Sequence, residues 1–332
     1  MRLRHSTRVA LPLLLVALLA VAAGCGRDSS SSSSSGAAGT GDSNLSGTIQ
    51  ADGSSTVGPM TTYAAEQFQA ANPNVNVTVG ISGTGGGFER FCNGETDLSD
   101  ASRPIKTDPA DKEATVCKSK GIDYTEFLVA NDGISLVVNK ENDWAKCLTV
   151  DQLAKIWGPD SKVSNWNQVD PSFPDEPLKL FGPGTDSGTF DFFTGVINGE
   201  EGASRSDYTA SEDDNTTVAG VEGEKGGLGY FGYSYYEENK DKMNIVQVDS
   251  GNGCVTPSVE TVQDGTYTPL SRPLFIYVKN TSFKRPEVEA FMKYIIDNEE
   301  KVTGATGLIS LTAEQEAKAK QELTDAVTAA GG

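Results

Sequence analysis

The sequence predicts an α/β fold built mostly from parallel sheets, and two observations point to it. Short runs rich in β-branched and aromatic residues alternate along the chain with longer stretches of helical periodicity, the pattern that covers parallel strands with helices. Three of the strand-to-helix junctions are also written in the same vocabulary of Gly, Ser and Thr. With 37% hydrophobic and 22% charged residues over 332 positions, the chain has apolar material for a core, and its length suggests about two domains.

A leader precedes the first element. Arg2, Arg4 and Arg8 form a positive region, Val9 to Val21 is apolar apart from Pro12, and Ala22-Ala23-Gly24 is a small-residue run before Cys25. The apolar stretch is too short to span a bilayer, so residues 1–24 read as an export signal. Cys25, placed directly after small residues, resembles the lipidated cysteine of a bacterial lipobox, although Ala22 stands where Leu is more usual. Seven serines, Ser29 to Ser35, then Gly36-Ala37-Ala38-Gly39-Thr40-Gly41 make residues 25–46 a flexible tether.

Folded structure is expected to begin near residues 45–50, with Ser46 to Ala51 as the first strand. Gly53-Ser54-Ser55-Thr56 then turns into a helix over Met60 to Ala71, with Pro59 suited to its first turn. Val75 to Ile81 alternates as a strand and passes through Ser82-Gly83-Thr84-Gly85-Gly86-Gly87 into a helix over Phe88 to Cys92. Ile134 to Asn139 reads as a strand, Val150 to Ile156 as a helix and Leu178 to Gly182 as a strand. Pro183-Gly184-Thr185-Asp186-Ser187-Gly188 leads into a helix over Thr189 to Ile197. Gly229 to Tyr233 and Leu274 to Val278 are the last strands, and Pro286 to Asn298 and Ala313 to Thr328 the closing helices. The aromatic run from Tyr230 to Tyr236 fits alternation on a buried strand, hence core packing and not a sugar-stacking surface.

Charge and rare residues exclude several functions. Lys and Arg number 27 against 46 Asp and Glu, a formal charge of -19, and removal of three leader arginines takes it to -19 - 3 = -22. A polyanion such as nucleic acid is therefore an unsuitable partner. The one histidine, His5, lies in the leader, so the mature chain has no imidazole for a Ser-His-Asp or Cys-His hydrolase or for the commonest zinc sites. No cofactor or metal is implied. Cys92, Cys117, Cys147 and Cys254 are an even set for an exported chain, with none in a CxxC spacing. Of three connectivities, Cys92 with Cys117 is expected, because a loop of that size closes easily, leaving Cys147 with Cys254.

The three glycine and hydroxyl turns suit a tetrahedral oxyanion. Such an ion loses its water only where every oxygen gains donors, and helix N-termini offer free N–H groups with a favourable dipole. Ser and Thr add neutral donors, and glycine admits the backbone closely. Capping accounts for one such turn alone; three in a chain, each with several hydroxyls, point to a ligand. None ends in the Gly-Lys-Ser/Thr of a phosphate-cradling P-loop. A fourth segment, Asp97-Leu98-Ser99-Asp100-Ala101-Ser102-Arg103-Pro104-Ile105, holds an arginine between a small residue and proline, where its planar fork can take an oxyanion.

Taken in this order, together with Gly227-Leu228-Gly229-Tyr230-Phe231-Gly232-Tyr233, the segments resemble the phosphate-binding proteins of bacterial ABC-type phosphate uptake systems. The resemblance runs from about Gly47 to Leu311 and implies a type II periplasmic-binding-protein fold of two α/β lobes joined by two hinge strands. It places lobe one at residues 47–133 plus 272–332 and lobe two at 134–271. It implies phosphate ligands Ser54, Ser55 and Thr56, Thr84, Ser102 with Arg103, and Ser187, Gly188 and Thr189. Two departures stand out: Ser102 occupies the place of the aspartate that accepts the phosphate proton, and Pro183 that of an arginine. Arg103 is then the expected cation, and Asp52 and Asp186 the candidate proton acceptors. The implied protein is a monomeric, lipid-anchored extracytoplasmic receptor, not an enzyme, that hands phosphate to a membrane permease. A receptor for sulfate, molybdate or tungstate, a phosphatase of the cell wall and an acidic surface adhesin are the alternatives.

Overall fold

The computed structural model describes residues 45–108, 110 and 112–331. The expected export signal with His5, the expected lipidation site Cys25 and the expected tether up to residue 44 lie outside the described residues. The chain begins with β1 (Gly47–Gly53), α1 (Gly58–Ala71), β2 (Val75–Gly80), α2 (Gly83–Cys92), β3 (Leu98–Ala101) and α3 (Glu113–Ser119). The 16-residue strand β4 (Tyr124–Asn139) leads out of this group. Beyond it lie β5 (Cys147–Thr149), α4 (Val150–Trp157), α5 (Trp166–Val169), β6 (Lys179–Pro183), α6 (Gly188–Asn198), β7 (Thr209–Ser211) and α7 (Asp214–Gly223). The second group ends with β8 (Gly227–Gly232), α8 (Tyr233–Asn239), β9 (Met243–Asp249), β10 (Cys254–Val255) and α9 (Val259–Gln263). Strand β11 (Ser271–Lys279) returns the chain, and α10 (Pro286–Asp297), α11 (Glu299–Ala305) and α12 (Ala313–Ala330) close over the first group.

Hydrogen bonding orders the strands β2-β1-β3-β11-β4-β8-β6-β7, with β9 pairing β4, β5 and β10. The strands that deliver the glycine turns pair in parallel, β1 with β2 and β3, and β6 with β7 and β8. The sheet as a whole is mixed, because β4 carries the chain outward and β11 carries it back, antiparallel to each other from Tyr124 to Gly133. Beyond Gly133, β4 pairs instead with β8 and β9.

Each lobe has its own core. Ile49, Met60, Phe68, Phe127, Ile276 and Phe291 belong to the first, and Ile134, Trp157, Trp166, Phe193, Tyr230 and Val246 to the second. Burial of such side chains, each worth about 1.5 to 3 kcal/mol, is what holds each lobe on its sheet. Both expected disulfides are present: Cys92–Cys117 ties α2 to α3, and Cys147–Cys254 ties β5 to β10.

Two expectations need correction. The expected strand from Ile134 to Asn139 is the end of a longer one, since β4 begins at Tyr124. The aromatic run changes structure midway: Tyr230 and Phe231 are buried in β8, but Tyr233 opens α8. Tyr230 does pack in the core, stacked 4.0 Å from Phe193 and edge-on to Trp157.

Candidate functional site

The first turn links β1 to α1 at the carboxyl edge of the parallel strands. Ser54 N donates to Asp100 O of β3 at 2.9 Å, and the Ser54 hydroxyl accepts from Thr56 N and Val57 N at 3.1 and 3.3 Å. Ser54 is thereby turned into the loop as its brace, and Ser55 and Thr56 are left at the half-buried surface. The third turn, between β6 and α6, is braced alike: the Ser187 hydroxyl accepts from Thr189 N at 3.2 Å as the cap of α6.

These two turns, one from each lobe, touch. A methyl group on Gly188 would stand 2.8 Å from Ser55 Oγ and nearer still to Thr56 Oγ1, so the third turn meets the first only because residue 188 has no side chain. Ser55, Thr56, Ser187, Gly188 and Thr189 line a cavity of about 270 Å³. A water's share of liquid volume is about 30 Å³, so a small anion has ample room.

The second turn, between β2 and α2, packs behind the first. A side chain on Gly87 would run into Gly53 Cα and Asp52 O, which accounts for the glycine at that position. Thr84 Oγ1 pairs with Ser102 Oγ at 2.9 Å and accepts from Ser102 N at 3.1 Å, so the second and fourth segments meet as expected. Arg103 stands beside them, but Glu113 of α3 takes both its terminal nitrogens, at 2.9 and 2.7 Å. Burial would raise the Glu113 carboxyl; the Arg103 bonds hold it below its ordinary value. Arg103, the expected cation, is thus one-third exposed and paired with Glu113.

A second arginine, Arg272, not among the residues expected from the sequence, stands in the cleft itself, paired with Asp132. It lies on β11 directly across from Asp132 of β4, at the crossing between the lobes, and its Nε donates to Asp132 Oδ2 at 3.1 Å. Its Nη2 donates to Thr56 Oγ1 at 2.8 Å in the first turn and to Gly188 O at 3.4 Å in the third. The guanidinium sits 3.8 Å from the centre of the Phe192 ring. Burial pulls its pKa down, opposed mainly by the charge of Asp132 and then by Glu201 and Asp191. The charge of Glu201 also favours the ionised form of Arg103, after the larger effect of Glu113. A signal for Arg272 was present: Ser-Arg-Pro occurs twice, at 102–104 and at 271–273.

The candidate proton acceptors fare differently. Asp52 Oδ1 accepts from Ser82 N at 3.0 Å and Ser82 Oγ at 2.5 Å, while Oδ2 pairs with Arg90, so this carboxylate is engaged in fixing the second turn. Asp186 is exposed at the cavity rim. Asp132 lines the same cavity and is buried.

A two-lobed α/β chain whose hydroxyl and amide turns converge from both lobes on an arginine between them is a receptor of the periplasmic-binding-protein class. A family model described as a PBP superfamily domain matches residues 38–299. The chain belongs to the bacterial phosphate-binding proteins of that superfamily. Protein SphX of Synechococcus elongatus is 49% identical over 276 residues, 82% of this chain and 80% of that one. The phosphate-binding protein PstS of Staphylococcus saprophyticus is 40% identical over 294 residues, 87% of this chain and 88% of its own. A crystal structure of a possible phosphate binding protein from Planctomyces limnophilus superposes with a TM-score of 0.82 at 49% identity, covering 86% of this chain and 100% of that one.

Proposed function

We propose that the protein captures inorganic phosphate in the cleft between its lobes and delivers it to the membrane subunits of an ABC-type importer. The observation that carries this reading is Arg272, a cation with only 12% of its side chain exposed, bonded to a hydroxyl of one lobe and reaching a carbonyl of the other. The hydroxyls of Ser55, Thr56, Ser187 and Thr189 and the Gly188 amide surround the anion, with Thr84 of the second turn and Ser102 of the fourth segment in support. Fixed donors in a dry cleft hold a charge without reorganising, and one guanidinium offsets part of it.

Asp132 serves as the proton acceptor. Facing fully ionised sulfate, its carboxylate would meet an oxygen with no proton between them, and a buried charged acceptor left unpaired costs about 3 kcal/mol, above a hundredfold. Facing protonated phosphate it accepts a hydrogen bond instead. Lobe one comprises residues 47–133 plus 272–332 and lobe two residues 134–271. Cys25 carries the lipid anchor, so that a monomeric receptor works outside the cell membrane without catalysing a reaction. Among the described residues no helix is long and apolar enough to cross a membrane.

Isothermal titration with phosphate and sulfate tests the reading. Phosphate binding tighter than about millimolar with sulfate at least a hundredfold weaker is expected; equal or preferred sulfate binding returns the site to another oxyanion. Asp132→Asn should narrow the gap between the two ions, and turnover of a chromogenic phosphate ester would make the protein an enzyme.

A further inference from the structure

Residues 306–311 join α11 to α12, helices that pack on the first core, yet the segment is fastened to the second lobe. Leu308 and Leu311 pack against the first core, while Ile309, 7% exposed, belongs to the second. Asn131 of β4 and Ile309 exchange backbone bonds of 2.8 and 2.9 Å in an isolated antiparallel bridge. From the second lobe, Gln263 Nε2 of α9 donates to Ser310 O at 2.8 Å, and Ser234 Oγ of α8 donates to Gly307 O at 3.0 Å. Gly307 has φ +71°, and a side chain there would lie 2.9 Å from Ser234 Oγ, so the approach to α8 depends on glycine twice over. Gly307 and Leu308 also line the cavity that holds Ser55, Thr56 and Ser187.

We infer that residues 306–311 are a third tie across the cleft, a strap that holds the lobes shut and sets the rate at which the bound anion leaves; this rests on the reading of the cleft as a phosphate site. β4 and β11 pass between the lobes as continuous backbone and can bend without losing contacts. The strap has no covalent link to the second lobe. Parting the lobes must break the Ser234 and Gln263 bonds and loosen Ile309 in the second core, while the bridge to Asn131, at the crossing itself, stays as a pivot. Those contacts are made within the closed molecule and not with the arriving ion, so their loss raises dissociation more than it changes association.

The experiment pairs stopped-flow measurement of inorganic phosphate association and dissociation with small-angle scattering of the ligand-free protein. The double variant Ser234→Ala/Gln263→Ala removes the two bonds and no apolar contact; Ile309→Ala, checked for folding by circular dichroism, removes the buried anchor. Dissociation about tenfold faster, association changed by less than about twofold, and a larger radius of gyration without ligand are expected of both. Wild-type dissociation together with a wild-type radius in the double variant overturns the strap. If the wild type itself does not bind phosphate, the phosphate reading falls, and the scattering comparison alone still decides whether the segment holds the lobes together.

Discussion

Two arginines, each preceded by Ser and followed by Pro, have opposite fates. Arg103 is engaged by Glu113 and one-third exposed, whereas Arg272, 12% exposed, is enclosed by groups of both lobes. Arg272→Met should therefore weaken phosphate binding by about 3 kcal/mol or more, above a hundredfold, because the anion would be left in a dry cleft without its cation. Arg103→Ala should cost less than about tenfold, in line with an exposed ion pair. Titration of both variants checks the pair, and the reverse order would move the site toward the second turn. The residue types of the site were legible in the sequence because hydroxyls and glycines cluster at helix starts. Which arginine serves them was not, since that depends on a cross-strand register between residues 140 positions apart. Asp100 offers a residue-scale test in pH. Complete burial, opposed by a hydrogen bond from Thr61 and aided by the charge of Asp52, pushes its carboxyl from 3.8 up to about 7. A raised carboxyl contributes stability that is full below about 3.8 and lost as pH climbs through about 7. Asp100→Asn, which keeps the acceptor for Thr61, should gain melting temperature relative to wild type as pH rises from 4 to 8; a constant difference across that range would remove Asp100 as the titrating group.

At the scale of the element, most helices and strands with clear periodicity were legible, and β4 shows why others were not. Asn131-Asp132-Gly133 carries every local mark of a turn. Tertiary partners override it: Asn131 is bridged to Ile309, Asp132 is bonded by Arg272, and Gly133 faces Val262, whose Cγ2 would lie 2.6 Å from any Cβ there. Short strands such as β3 and β7 escaped for a simpler reason, being too brief for a period to show. The contact between the first and third turns leads to a further prediction. Gly188→Ala inserts a methyl group against Ser55 and Thr56, and overpacking of about 1 to 3 kcal/mol should lower phosphate affinity about ten- to a hundredfold while the melting temperature of the ligand-free protein changes little. The disulfides close loops of 25 and 107 residues. On chain entropy alone, loss of Cys92–Cys117 should cost about 3.5 kcal/mol and loss of Cys147–Cys254 close to 5 kcal/mol. Denaturant unfolding of the paired Cys→Ala variants ranks them.

For the molecule as a whole, acidity and anion capture have to coexist. The formal charge of -19 favours no anion at a distance, and the site depends on donors acting at contact range. Carboxylates crowd the rim as well. Asp214, lining the same cavity, is pushed up to about 6 by its burial and then by Asp213 and Glu212. Screening within about 10 Å at ordinary ionic strength relieves that repulsion, so phosphate association should speed up as an inert salt is raised. A fall with salt would instead reveal a steering positive field. β4 adds a constraint on how such receptors can diversify. One strand supplies Phe127 to the first core and Ile134, Leu136 and Val138 to the second, so neither lobe owns a complete sheet. Genetic recombination that exchanged one lobe for a homologue's would have to cut through Asn131-Asp132-Gly133 and still preserve strand register on both sides, since a slip of one residue turns every core side chain outward. A strand shared by both cores thus makes exchange of a whole lobe far more demanding than substitution within the turns.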